Sequence, residues 1–290
     1  MTLSSFHVRA LSALFVLTSA APALAQDEAA PPPGEDVGPR EDRNSLTIGI
    51  GGAYRPSYEG SDDYTFGPIG ALAGKVGGFS FTMRGTGISL DLIRDGRDAP
   101  FSVEFGPVAY VRLDRTSGIK DAQVRALGEL DVAVELGAVA GIAKNGLLHQ
   151  YDSLGVRLQY QKDVTDTHES SILTPTIEYS TPLSTRTYAQ LSLSAERVGD
   201  GYARTYFSIA PAGALASGLP AFNADGGWKN WRTSLFLAHT LTGELRDPKL
   251  SLFSILSYGK LLGDFKRSPI VSVAGDRDQF FAMGGISYTF

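Results

Sequence analysis

The chain of 290 residues contains no cysteine. That absence excludes a disulfide framework, a thiolate nucleophile, a cysteine-based zinc site and a lipobox cysteine for lipid anchoring. Positive charge is also scarce: 26 Lys and Arg against 31 Asp and Glu give −5, so there is no basic footprint for nucleic acid. Only four histidines and two tryptophans occur. From Leu46 onward no apolar run reaches 18 residues, so no transmembrane helix is expected there. What the chain does have is glycine, 33 residues, or about 11% against a usual level of about 7%. Fifteen Phe and twelve Tyr accompany it. Mean hydropathy is −0.04, as expected where apolar and polar residues alternate along membrane-crossing strands.

The first 25 residues read as a cleaved export signal. Arg9 supplies the positive start, Ala10 to Ala21 the apolar core, and Ala23-Leu24-Ala25 the small-residue cleavage site. Removal of Arg9 changes the charge to 25 − 31 = −6. Residues 26–44, with Pro31-Pro32-Pro33, Gly34 and mixed charges, read as a disordered periplasmic tail. The remainder, 45–290, is expected to be an all-β domain.

Its pattern has period two. Val132, Val134, Leu136, Ala138, Ala140 and Ile142 alternate with Asp131, Ala133, Glu135, Gly137, Val139 and Gly141. Leu154, Val156, Leu158 and Tyr160 alternate with Gly155, Arg157, Gln159 and Gln161. A helix needs a 3.6 period, which these segments lack. Twelve strands are expected, at 45–54, 64–76, 78–84, 86–93, 100–112, 130–143, 151–162, 171–180, 187–197, 228–241, 249–262 and 279–290. The segments at 64–76 and 249–262 alternate poorly. Connections sort by parity. Those at 77, 94–99, 144–150, 181–186 and 242–248 are short and carry turn residues such as Asp95-Gly96 and Asn145-Gly146. Those at 55–63, 113–129, 163–170, 198–227 and 263–278 are mostly longer; the connection near Gly85 breaks the rule. Short turns on one side and long loops on the other are characteristic of outer-membrane barrels. The expected fold is therefore a transmembrane antiparallel up-and-down β-barrel of about 12 strands.

The last strand puts Phe280, Ala282, Gly284, Ile286, Tyr288 and Phe290 on one face. Tyr288 and the terminal Phe290 read as the signal that such barrels present to their assembly machinery. Charges on the polar parity are expected to face the lumen, because a charge on the lipid side costs a few kcal/mol near the midplane. These are Glu104, Arg112, Asp131, Glu135, Arg157, Glu178, Glu196 and Arg232. They are expected either to close the lumen by salt bridges or to line a water-filled conduit. The 198–227 connection carries Tyr202, Tyr206, Phe207, Leu219 and Phe222 and is too apolar for a free loop. It is expected to plug the barrel mouth or to form a docking surface, with a short helical turn over 212–217.

Residues 46–290 resemble the MltA-interacting protein (MipA)/OmpV family of outer-membrane proteins. The resemblance rests on the run Gly52-Ala53-Tyr54-Arg55-Pro56-Ser57-Tyr58-Glu59-Gly60-Ser61-Asp62-Asp63-Tyr64 and on Val134-Glu135-Leu136-Gly137. Tyr206-Phe207-Ser208-Ile209, Ser217-Gly218-Leu219-Pro220-Ala221-Phe222, Asp225-Gly226-Gly227 and the terminal Gly284-Gly285-Ile286-Ser287-Tyr288-Thr289-Phe290 extend it. The resemblance implies a barrel and, in its best-known member, a scaffold joining a murein transglycosylase to a murein synthase. Other members are described as adhesion or osmotic-response proteins.

Nothing in the sequence reads as an enzyme. There is no HExxH and no GxSxG. Gly70-Ala71-Leu72-Ala73-Gly74-Lys75-Val76 is one residue short of a phosphate loop and lacks its final Ser or Thr. His149, His168 and His239 read as turn, loop and outward-facing strand residues; His168-Glu169-Ser170 has the residue types of a relay but the wrong separation. Glu59, Asp62-Asp63, Asp276 and Asp278 read as solvated loop charges rather than a divalent-cation site. The reading is thus a non-enzymatic scaffold or interaction protein, without cofactor, metal or nucleic acid. It sits in the outer membrane of a Gram-negative bacterium, in contact with lipid and lipopolysaccharide. A porin or narrow solute channel, or a surface adhesin, is the alternative.

Overall fold

The computed structural model describes residues 44–95 and 99–290. The expected signal at 1–25 and all of the expected tail except Asn44 lie outside the described residues. Among the described residues twelve strands close an antiparallel barrel. In chain order they are β1 (Ser45–Pro56), β2 (Tyr64–Val76), β3 (Phe79–Arg84), β4 (Gly87–Asp91), β5 (Phe101–Arg112) and β6 (Ala133–Asn145). Then come β7 (Ser153–Asp163), β8 (Ser171–Pro182), β9 (Thr187–Val198) and β10 (Gly227–Thr240). Two short pieces, β11 (Gly243–Glu244) and β12 (Asp247–Pro248), pair within one hairpin. The wall finishes with β13 (Leu250–Leu261) and β14 (Asp278–Thr289). Each wall strand pairs with its sequence neighbours, and β1 pairs with β14 to close the ring. The expected strands and their up-and-down order are all present, with ends shifted by at most three residues.

The period-two pattern becomes an inside and an outside. Ile142, Val156, Leu158, Ile177, Leu191 and Leu193 stand outward and are about half exposed. Lipid covers such residues in a membrane-spanning barrel. Aromatic residues cluster at the two ends of the outer wall. At the long-loop end Tyr54 stacks on Tyr64 at 4.9 Å, and Trp231, Tyr258 and Phe280 form a chain of ring contacts. At the termini end Tyr288 and Phe290 meet at 4.8 Å. These are positions where amphipathic rings meet both apolar chains and headgroups.

The closing seam depends on glycine. Gly51 pairs with Gly285, and Gly52 with Gly284. A Cβ on Gly51 would lie 2.1 Å from the Gly284 carbonyl oxygen, and one on Gly285 would lie 2.2 Å from that of Ile50. The strands approach this closely only without side chains.

The long connections pack together as a cap with its own core. They contain α1 (Ala122–Ala126), α2 (Asp200–Phe207), α3 (Pro211–Ser217), α4 (Gly263–Arg267) and α5 (Pro269–Ser272). Asp121 caps α1 by accepting from Val124 N–H at 2.8 Å. Pro211 opens α3 and Gly218, at φ 73°, ends it, the usual division of labour between these residues. One apolar cluster joins Tyr202, Tyr206 and Phe207 of α2 to Phe265, Val271 and Leu261. A second joins Tyr58, Ile119, Val124, Leu219 and Ile270. Full burial of aromatic and branched side chains of this size contributes roughly 1.5–3 kcal/mol each.

Candidate functional site: a buried polar junction beneath the cap

The cap meets the barrel through a cluster of charged and hydroxyl groups. Arg112, at the end of β5, grips Glu135 of β6 with Nε–Oε1 at 2.6 Å and Nη2–Oε2 at 3.2 Å. Glu135 also accepts from Gln161 and lies 3.1 Å from His168 Nε2. The His168 main-chain N–H donates in turn to Asp163 at 2.7 Å. A planar guanidinium matched to a carboxylate gives two parallel, charge-assisted bonds.

Tyr202 of α2 connects this cluster to a second one. Its hydroxyl accepts from Arg112 Nη1 at 3.2 Å and Lys229 Nζ at 3.1 Å, and donates to Glu59 Oε2 at 2.8 Å. Burial pushes the Tyr202 hydroxyl well above its ordinary value, and Glu59 and Asp114 add to this against Arg112. It therefore stays a neutral phenol, which is what allows it to donate and accept at once. Lys229 sits between two carboxylates, 2.8 Å from Glu59 and 2.5 Å from Glu196. Its ammonium also lies 4.7 Å from the centre of the Tyr202 ring. Glu59 comes from the first long connection and Tyr202 from the fourth, so the polar contacts tie two cap segments to β5, β9 and β10.

Asp114, just past β5, accepts from Glu59 N–H at 2.7 Å. Burial, and then the nearby Glu59 carboxylate, raise its pKa; the Glu59 N–H and the guanidinium groups of Arg115 and Arg112 only partly offset this. Arg115 is buried and donates to the Tyr206 carbonyl at 3.2 Å.

Most of the expected inward charges do stand on the inner face: Arg112, Glu135 and Glu196 join the junction, and the others stand apart from it. Glu104 and Arg157 meet at 2.9 Å across Gly141, which leaves the space between them open. Glu178 accepts from Gln190. Arg232 stands opposite Ser194, near Glu196, and is exposed. Asp131 corrects the expectation: β6 begins at Ala133, so Asp131 belongs to the preceding loop and is exposed. A strand end has no partner ladder there to hold the alternation.

Lys229 escapes the alternation for a different reason. Strict parity would send it outward with Leu235 and Leu237. A bulge between Trp228 and Asn230 shifts the register against β9 and turns it inward. Glu59 also departs from its expected role as a solvated loop charge, whereas Asp62, Asp63 and Asp276 remain exposed. Asp278 pairs with Lys260 at 3.1 Å. Among the described residues no group of three His, Asp or Glu side chains is arranged to hold a metal ion.

In the 198–227 connection, Tyr202, Tyr206, Phe207 and Leu219 are buried and Phe222 is partly so. Helix α3 covers the expected turn at 212–217. Of the histidines, His168 is buried, while His149 and His239 are exposed and bond Thr181 at 2.8 Å and Thr187 at 2.9 Å. Tyr288 and Phe290 face outward at the termini end, with Phe290 two-thirds exposed. A concavity of about 950 Å³ between Ile142, Leu158, Ile177, Leu193 and Trp231 lies on the outer wall and is separate from the polar junction.

A closed twelve-stranded barrel with an apolar outer wall, a polar junction inside and a packed cap defines the class: a membrane-spanning β-barrel. A family model described as MltA-interacting protein MipA matches residues 48–290, and the chain belongs to that family. Fold and family together support the outer membrane of a Gram-negative bacterium. No curated protein matches the chain. Among solved structures it is similar to the COG4313 outer membrane channel from Pseudomonas putida F1, at 12% identity, covering 91% of this chain and 100% of that one with TM-score 0.44. It is also similar to the channel DcaP of Acinetobacter baumannii, at 12% identity, 85% and 96% coverage and TM-score 0.38. An anion-selective porin from Comamonas acidovorans gives 12% identity, 86% and 99% coverage and TM-score 0.35. Likeness at this level carries no functional argument.

Proposed function

We propose that this protein is a non-enzymatic outer-membrane scaffold whose partners, a murein transglycosylase and a murein synthase, dock at the termini end in the periplasm. The family supports the first partner, since its description is of an MltA-interacting protein. The observation that carries the docking end is the contrast between the two rims. The long-loop end is covered by a cap packed on its own core, whereas the termini end offers short, rigid turns. In one of these, Asp152 accepts from the N–H groups of Leu147 at 2.6 Å and Leu148 at 2.9 Å and from the Tyr179 hydroxyl at 3.0 Å. Burial raises the Asp152 pKa, but these donors outweigh it and leave the carboxyl below its ordinary value. The turn so fixed presents Leu147, Leu148 and Tyr151 outward, with Leu183 exposed in the next short turn.

Photo-crosslinking residues placed at Leu148 and Leu183 in intact envelopes test the reading, with Leu215 of the cap as control. The expected result is capture of a murein transglycosylase from the turns and not from Leu215. Capture of no murein enzyme from either turn overturns the scaffold role.

A further inference from the structure

The outer wall carries charge of one sign at one height. Along the described wall strands every Asp and Glu except Asp278 falls on the inward parity. Asp278 is held by Lys260 at 3.1 Å. Lys144, Lys162 and Arg197 also stand outward. Lys144 is at the termini end, where its ammonium lies 5.1 Å from the centre of the Phe101 ring. Lys162 of β7 and Arg197 of β9 are at the long-loop end, on either side of β8, and both are exposed. Lys162 stands opposite Ser171 of β8, and Arg197 opposite Leu173. Neighbouring strands are about 4.8 Å apart and alternate residues about 6.8 Å apart along a strand, which separates the two Cα atoms by about 12 Å. Two long side chains leaning over β8 close that gap on a single anion, with the Ser171 hydroxyl beneath it. The loop carboxylates Asp166 and Glu169 lie beyond the end of the β7–β8 ladder. Tyr160 and Trp228 share a row with Arg197 and are about half exposed. Amphipathic rings on the outer wall mark the headgroup level.

The outer-wall concavity of about 950 Å³ begins one row below these cations. Leu158, Pro175 and Ala195 line it, two positions along their strands from Tyr160, Leu173 and Arg197. Ala140, Pro175 and Ala195 are short, whereas Leu158, Ile177 and Leu193 stand out around them, so the wall is hollowed between them. Pro175 adds to this. It sits inside β8 without an N–H to donate, and the β8–β9 register passes from Leu173–Arg197 to Thr176–Ser194 with no pair at Thr174 or Pro175. Proline is ordinarily kept to sheet edges, strand starts and bulges. The outward lining of the hollow is apolar, and its volume is at the upper end of the usual range for ligand sites, about 300–1,000 Å³.

We propose that this face of β6–β10 is a binding site for one molecule of lipopolysaccharide. A phosphate of its lipid A anchor lies between Lys162 and Arg197, on the Ser171 hydroxyl, and an acyl chain fills the hollow over Pro175 and Ala195. Charge complementarity selects this occupant. The long-loop end of an outer-membrane barrel faces the cell exterior, and the leaflet on that side is built of phosphorylated, multiply acylated glycolipid. Cations at the headgroup level with an apolar hollow directly beneath match an anion that carries tails. The site is independent of the docking end proposed above and rests only on placement in the outer membrane.

The test uses the full chain in detergent, with bound lipid counted by native mass spectrometry. The probes are diphosphorylated lipid A, the same lipid without its phosphates, and phosphatidylglycerol. One copy of diphosphorylated lipid A is expected to stay bound at a collision energy that strips the other two. Arg197→Gln and Lys162→Gln are each expected to weaken it about fivefold, the share of one cation near an anionic surface. Lys144→Gln, at the termini end, is expected to leave it unchanged. Ala195→Phe fills the hollow and is expected to weaken binding with both cations in place. These side chains all face outward, and each variant is checked for the wild-type far-UV circular dichroism; where Ala195→Phe fails that check, the Gln variants alone decide. Equal retention of phosphatidylglycerol or of the dephosphorylated lipid overturns the proposal. So does an equal loss in Lys144→Gln, or unchanged binding in Arg197→Gln, in Lys162→Gln or in a folded Ala195→Phe.

Discussion

At the scale of single residues, the polar junction shows how burial and charge are reconciled. Two cations of the junction have opposite charges within bonding distance: Arg112 has Glu135, and Lys229 has Glu59 and Glu196. Asp114 is the member with an unfavourable neighbour. Its pKa is raised by burial and by Glu59. An acid whose pKa is higher in the folded state adds stability below its unfolded value, near 3.9, and loses that contribution as pH rises through the folded value. The cap is therefore expected to loosen as pH rises from about 4 to above neutrality. Hydrogen exchange of residues 57–63, corrected for intrinsic rates, should show more frequent opening at pH 8. Asp114→Asn should remove most of that pH dependence. An unchanged dependence in the variant would assign it to another group.

At the scale of elements, the wall was largely legible in the sequence and the junction was not. Strands such as β6 and β7 show themselves because half their side chains face lipid and half face polar surroundings, which enforces alternation over ten residues. The poorly alternating segments at 64–76 and 249–262 are strands as well. Their inner faces carry Ala71, Ala73, Phe253 and Ile255, so both parities are apolar and the contrast fades. The junction depends on a bulge that reverses Lys229 and on loops that bring Glu59 to Tyr202 across 143 positions of sequence. The Trp-Lys-Asn run does not announce its bulge, and loop residues have no period to read. The 198–227 connection was the exception, since its aromatic content alone signals burial. The glycine seam is the element most sensitive to a single atom group. Gly285→Ala is expected to destabilise the closing β1–β14 pair by about 1–3 kcal/mol, because backbone rather than a flexible side chain must move. The control is Gly67→Ala, where an added Cβ meets nothing within 4 Å. Unfolding in urea from lipid vesicles should separate the two; equal midpoints would mean that the seam tolerates the methyl group.

At the scale of the whole molecule, the packing of the cap leads to an expectation about conduction. The long-loop end is covered by two apolar clusters and by the bonds that tie Glu59 and Tyr202 to Lys229. A lumen sealed at one end gives no continuous water path, so the wild-type protein is expected to be silent in planar bilayers. Lys229 is the group whose loss does most to release the seal. In Lys229→Met the apolar stem remains, but Glu59 and Glu196 face one another without their shared cation. Removing one partner of a buried ion pair typically costs about 3–5 kcal/mol. That cost falls on the contact between cap and wall, since Lys229 sits in the bulge between the paired Trp228 and Asn230 and is not itself a member of the β9–β10 register. The wall should therefore keep its strand content while the cap opens locally. Brief conductance steps in Lys229→Met, against a silent wild type and with unchanged circular dichroism, are the expected record. Steady steps from the wild type would overturn the sealed lumen and favour a channel. Silence from both proteins, with the cap of the variant newly open to protease, would place the seal lower, among the inward side chains of Phe253, Phe281 and Arg157.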